Sequence, residues 1–205
     1  MILTKIELAL SNPGVRAALR DSQKMHRLVT GFFGAGRQEG NILYRSRVVG
    51  AVVELYLYSG LAADPARQLP GMRVAAQRDV TAWLEGMQAG NILGFQLETM
   101  PFRKIAEHGT KNSRRRALRT AEERKNWLRR KAEQNGFEIL SLEETPGEKH
   151  LARHVPEAGG CLTLDSWIYT GRLCITNAEA FRLAVQQGIG PGKAYGLGMM
   201  LLLGD

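Results

Sequence analysis

Four histidines, His26, His108, His150 and His154, are the side chains of this chain best suited to moving a proton near neutral pH. His108 lies in a strongly basic segment, where it can simply add charge. His26 stands in "KMHRL", a helical stretch, with Lys24 and Arg27 beside it. An imidazole among cations suits one reaction on RNA, transesterification, in which a 2′-hydroxyl attacks the adjacent phosphate. The ring transfers the proton, and Lys24, Arg27 or Lys193 could neutralise the charge that builds on the phosphate. The other reading is a structural or merely exposed helical histidine, and the residue alone leaves both open. No HExxH, CxxC or GxSxG occurs, nor any acidic cluster with metal-ligand spacing, so no metal and no cofactor is expected. Cys161 and Cys174, thirteen positions apart in apolar segments, are expected to be buried reduced thiols.

Lys193 belongs to "GIGPGKAYGLG", which holds five glycines in the eleven residues from Gly188 to Gly198. This is not a P-loop. Three residues instead of four separate Gly188 from Gly192, Ala194 follows the lysine where a magnesium-binding hydroxyl is required, and the loop follows a helix and leads into a strand. A dinucleotide fingerprint fails on the same reversed order. Two readings remain: a backbone-rich loop in which Gly190, Gly192 and Lys193 lie against a polyanion, or a tight connection whose glycines only permit positive φ and close packing.

The net charge of +8 is local. Between Arg103 and Lys131 there are twelve Lys or Arg and three Glu, and the other 176 residues sum to −1. A solvated helix face would interleave the signs, whereas "KNSRRRALR" contains no acid. The segment, with Arg103, Lys104, Lys111, Arg114, Arg115, Arg116 and Arg119, reads as a footprint for nucleic acid or another polyphosphate. Aromatic residues are 7% of the chain and no RRM-type aromatic motif occurs, which fits a duplex held by its phosphates better than bases splayed on rings.

The elements that must position these groups follow from capping and periodicity. "ILTKIEL" reads as a strand; Asn12 and Pro13 open a helix with a Val15, Ala18, Leu19 stripe, and "KMHRLVTGFF" continues helical. "ILYRSRV" and "AVVELYLYS" form a hairpin around Gly50, "DPARQLP" a short helical turn and "GMRVAAQ" a closing strand. In the second half "NILGFQLETMPF" is a strand, the basic segment a loop, and Thr120 with Glu123 a capping box for a helix that ends at Gly136. "FEILSLEE" follows as a strand, "CLTLDSWIYTGRLCIT" is expected to turn back at Thr170-Gly171, and Asn177 opens the last helix. The order predicts an α+β chain of two tandem ferredoxin-like domains, residues 1–89 and 90–205. With no long apolar run and no leader-like N-terminus, no membrane association and a cytoplasmic location are expected.

The pairing of "NPGVRAALRDSQKMHR" near the start with "GIGPGKAYGLGMMLL" at the end resembles the CasE (Cse3) family of CRISPR RNA-processing endoribonucleases of type I-E systems. The resemblance spans essentially the whole chain, and its two ends are its specific part. It implies a protein of two ferredoxin-like domains that binds the stem-loop of each CRISPR repeat in precursor RNA. It implies metal-independent cleavage at the 3′ base of the stem, leaving a 5′-hydroxyl and a cyclic phosphate. The mature crRNA hairpin would stay bound, with other Cascade subunits as partners. The family's catalytic histidine falls on His26, its glycine loop on Gly188 to Gly198 and its basic RNA-contacting segment on Arg103 to Arg119. A further RNA-contacting hairpin corresponds to "KHLARHV", with Lys149, Arg153 and His154. Where several members have a tyrosine three positions before the histidine, this chain has Gln23, and an amide is neither acid nor base near neutral pH. A non-catalytic RNA-binding subunit of the same fold is therefore the alternative.

Overall fold

A computed structural model describes residues 1–106, 113–153 and 161–203, with side chains at 1–105, 116–149, 151 and 165–203. The first half runs β1 (Ile2–Ala9), α1 (Pro13–Leu19), α2 (Ser22–Gly31), β2 (Leu43–Val49), β3 (Val52–Ser59), a 3-10 turn (Pro65–Arg67) and β4 (Met72–Asp79). Thr4, Ile6 and Leu8 alternate inward along β1, and α1 and α2 cover that face with Val15, Ala18, Met25 and Val29. Asn12 caps α1 by accepting from the Gly14 amide at 2.8 Å, and Asp21 caps α2. The β2–β3 hairpin turns at Gly50, whose φ of 58° is left-handed. Leu19 departs from the expected stripe and is exposed, because the short α1 turns it away from the sheet.

After α3 (Thr81–Glu85) the chain continues with β5 (Ile92–Thr99), β6 (Phe102–Ala106), β7 (Ser113–Ala117), α4 (Ala121–Gln134), β8 (Phe137–Arg153), β9 (Cys161–Ile175), α5 (Ala178–Gln187), a second 3-10 turn (Lys193–Tyr195) and β10 (Met200–Leu203). The two four-stranded sheets have orders β2-β3-β1-β4 and β10-β5-β9-β8, every pairing antiparallel. Counting only its own strands in chain order, each sheet thus centres its first and third, the ferredoxin-like arrangement, and the fold is α+β. Thr120 and Glu123 make the expected capping box on α4, and Asn177 caps α5 by accepting from Ala180 at 3.0 Å. Phe181 of α5 is fully buried and meets Phe137 edge-on at 5.7 Å, so Phe181→Ala should cost about 3–5 kcal/mol. Leu43 and Tyr58 of the first sheet join this second core, which packs the two sheets' elements together.

Two expectations are corrected. The basic segment contains a paired hairpin, β6–β7, rather than a bare loop. Thr170-Gly171 is no turn: β9 runs unbroken, and Gly171 lies where a Cβ would strike the Ser141 carbonyl beside a bulge in β8. A glycine inside a strand signals close backbone approach as readily as a turn, and here it is the former. Cys174 is a free, half-buried thiol, and the Cys161 side chain lies outside the described ones. Among the described residues no helix is long and apolar enough to cross a membrane.

Candidate active site and nucleic-acid interface

Met25 and Val29 take the core side of α2, so His26, about 100° further round the helix, falls at its rim and is half-buried. Its Nδ1 is enclosed with no hydrogen-bond partner among the described residues. Burial, and then the charges of Arg37 and Arg27, hold the imidazole below its usual pKa, so it is neutral at neutral pH. Gln23, one turn earlier, is half-buried, and its backbone N–H donates to Asp21 Oδ1 at 3.0 Å. Lys24 and Arg27 are exposed on the same helix.

The 3-10 turn Lys193–Tyr195 packs directly on α2. The Tyr44 hydroxyl donates to the Ala194 carbonyl at 3.0 Å and ties this turn to the first sheet. Lys193 is half-buried, and its ammonium is held below the usual lysine range by burial, then by Arg37 and Lys131. Arg37 therefore acts electrostatically on both His26 and Lys193.

The glycine loop is closely packed on the rest of the fold. Its amides at Ile189, Tyr195, Leu197 and Gly198 donate to the carbonyls of Gly198, Gly192, Gly192 and Glu98, at 2.8, 2.7, 3.3 and 2.7 Å. Gly198, at φ 84°, would place a Cβ 2.8 Å from the Ile189 carbonyl. Gly192 is left-handed against Leu197, and Gly190 abuts Thr99 and the Trp127 ring of α4. These glycines bring the last sheet strand, α4 and α2 together, and Lys193 is the charge they present.

In the β6–β7 hairpin Arg103 lies opposite Arg116, Lys104 opposite Arg115 and Ile105 opposite Arg114. Like charges directly opposite weaken a strand pair, so the arrangement suits a polyanion laid across it. Arg103, Lys104 and Arg116 are exposed; Arg103 comes 3.9 Å from Glu123, which leaves most of its charge solvated. Arg119 is exposed while its carbonyl accepts from Arg124 at 2.6 Å. Arg103 and Lys104, with Trp127, Arg130 and Lys131 of α4, line a cavity of about 340 Å³. Arg114, Arg115 and Arg153 are described only as strand backbone, and Lys111, His108 and His154 lie outside the described residues. Lys149 is exposed on β8 and lines a small cavity with Ser22, Met25 and Tyr195, which brings it to the start of α2.

The sequence reading missed Arg37, Tyr44 and the role of Lys131. Arg37 sits alone in "GAGRQEGN", where nothing local marks it as acting on both His26 and Lys193.

The profile of a family described as "CRISPR associated protein" matches residues 1–203. The CRISPR-associated endoribonuclease Cse3 of Thermus thermophilus is 28% identical over 214 residues, covering 98% of each chain. A structure of CRISPR endoribonuclease Cse3 bound to a 19-nucleotide RNA is similar with a TM-score of 0.86 at 24% identity, over 99% of this chain and 100% of that one. A chain of a CRISPR RNA-guided surveillance complex, in a pre-nicking state, gives 0.75 at 23% identity over the whole of both chains. A match along nearly its full length makes this chain a member of the family of CRISPR-associated proteins.

Proposed function

We propose that the chain is an endoribonuclease that binds the stem-loop of a CRISPR repeat in precursor RNA and cuts at the 3′ base of the stem without a metal. The observation that carries this reading is a half-buried imidazole with an enclosed Nδ1, on the helix against which the Lys193 turn packs, in a chain whose β6 and β7 set cation opposite cation. The whole-chain similarity to an endoribonuclease of the same kind supports it. His26 Nδ1 is enclosed, so Nε2 takes the proton of the 2′-hydroxyl. The 2′-oxygen then bonds to phosphorus, the P–O5′ bond breaks, and the 5′-oxygen leaves with a proton. The products are a 2′,3′-cyclic phosphate and a 5′-hydroxyl. Lys193, with Arg27 and Lys24, stabilises the charge of the pentacovalent phosphorus, and Lys193 gives the leaving oxygen its proton. Arg103, Lys104, Lys111, Arg114, Arg115, Arg116, Arg119 and Arg153 grip the stem's phosphates. The work divides between domains 1–89, with the histidine, and 90–205, with the basic hairpin. The enzyme remains in the cytoplasm on the mature crRNA hairpin as a Cascade subunit, in keeping with the likeness to a surveillance-complex chain.

Gln23 favours a second reading, a subunit that binds the hairpin and does not cut. Incubation with a repeat stem-loop in excess EDTA separates the two. Cleavage that His26→Ala abolishes while binding survives supports the nuclease. Tight binding without a cut supports the second reading, and indifference to the stem-loop overturns both.

A further inference from the structure

A second cavity, of about 550 Å³, opens between the end of β7, the start of α4 and the β8–β9 pair. It is within the range that encloses small ligands. Part of its wall is the stretch of β8 that loses register between Pro146 and Lys149. Pro146 brings no amide to the ladder, and Gly147 fits so closely against Ser166 that a Cβ there would strike its hydroxyl. Ser166 fixes the bulge: its Oγ lies 2.5 Å from Glu98 Oε1 and 2.9 Å from the Glu148 carbonyl.

The lining combines three kinds of group. Arg116, Arg119 and Lys149 are exposed cations, Asp165 is an exposed carboxylate, and Trp167 is a half-buried ring. One face of the ring is covered by a residue that also lines the cavity. Arg124 lies 3.3 Å over its centroid, bound through Nε and Nη2 to Glu144 at 2.8 and 2.9 Å and through Nη1 to the Arg119 carbonyl at 2.6 Å. Glu144 neutralises Arg124, so this guanidinium fixes the indole rather than serving as an anion site.

A duplex gripped only by its phosphates needs cations but no ring, since its bases are stacked and out of reach. A rigid indole beside cations and a carboxylate suits a single nucleotide that has left the stack. We propose that this cavity holds one unpaired guanosine nucleotide of the RNA, with its phosphate on Arg116 and Arg119, its base on Trp167 and its Watson–Crick edge on Asp165. Guanine is assigned because its N1–H and N2–H donate side by side to one carboxylate, whereas uracil would turn a carbonyl towards it. The cavity would thus add base selection to a protein whose hairpin otherwise reads shape and charge. The assignment rests on the stem-loop-binding reading above.

The test is a set of repeat stem-loops with six unpaired nucleotides on each flank, each made abasic at one unpaired position, bound in EDTA at fixed salt. Wild type should lose about 5- to 150-fold in affinity at one position, the size of one lost base stack. That position should hold guanine, and replacing it by uracil should cost nearly as much as removing it. In Trp167→Ala the abasic RNA and the intact RNA should bind alike. Asp165→Asn, an exposed change that leaves the core untouched, should bind the guanine and uracil forms alike while keeping sensitivity to base removal. Free 5′-GMP in excess should shift wild type, but not Trp167→Ala, towards the affinity of the abasic RNA. If every abasic RNA binds within twofold of the intact one, or Trp167→Ala loses as much on abasic as on intact RNA, the cavity does not hold a base. If wild type ignores intact stem-loops, the endoribonuclease reading itself falls, and the assignment with it.

Discussion

The junction of α2 with the glycine turn and the β6–β7 hairpin with α4 both carry positive charge, yet they are built in opposite ways. At the junction His26 and Lys193 are half-buried and both are held below their usual pKa, with Arg37 acting on each. On the hairpin Arg103, Lys104 and Arg116 stand exposed, with cation opposite cation across the strands. Enclosure tunes a proton-transfer group and fixes a phosphate in place, whereas exposure keeps cations free to exchange counterions for a nucleic-acid backbone. The junction is suited to chemistry and the hairpin to grip, and changes in the two should separate rate from affinity.

The largest separation is expected from His26→Ala, which should slow single-turnover cleavage of a repeat stem-loop by about 10²–10⁴-fold with a roughly unchanged Kd. Loss of binding in parallel would merge the two regions. Gly198→Ala should damage the junction through packing: its left-handed φ and the 2.8 Å approach to the Ile189 carbonyl should cost about 1–3 kcal/mol. Thermal melting should then fall by about 2–12 °C for a chain of this size. On the hairpin, Arg103→Ala or Arg116→Ala should leave the bound-state cleavage rate alone. Each should lower the slope of log K against log salt by about 0.7–0.9.

Arg37→Gln is expected to have the smallest effect and the most specific. Removing that charge should raise the His26 pKa and move the acid limb of the cleavage profile to higher pH. The same linkage acts on stability. A histidine depressed below its unfolded value of 6.5 binds protons more tightly in the unfolded chain, so the fold weakens as pH falls from about 6.5 to the folded pKa. Arg37→Gln should narrow that window, and melting curves at pH 5 to 7 would measure it.

The elements were legible where one residue decides locally. Asn12, Thr120 with Glu123, and Asn177 cap the helices their positions predict, and Gly50 makes the hairpin turn. Gly171 misled because turn and close approach ask for the same residue, and only the Ser141 carbonyl opposite distinguishes them. The charge of the basic segment was plain, but its strand pairing was not, since "KNSRRRALR" lacks an apolar alternation. Of the candidate site, His26 and Lys193 could be singled out from their neighbours in the chain, although the residues alone left a structural reading of His26 open. Arg37, Tyr44 and the pinned Trp167 could not, because each acquires its role from a residue distant in sequence, such as Ala194 for Tyr44 and Arg124 for Trp167.

In the proposed mechanism the 2′-hydroxyl, deprotonated by His26, attacks the adjacent phosphate. A stem-loop with one deoxyribose, at the nucleotide 5′ to the cut, tests it most directly in single-turnover reactions with EDTA. This RNA should bind with the affinity of the all-ribose form, remain uncut at that position, and compete with cleavage of the normal substrate. Cleavage of the deoxy form at the ordinary rate would contradict it, because no 2′-oxygen would be present to attack.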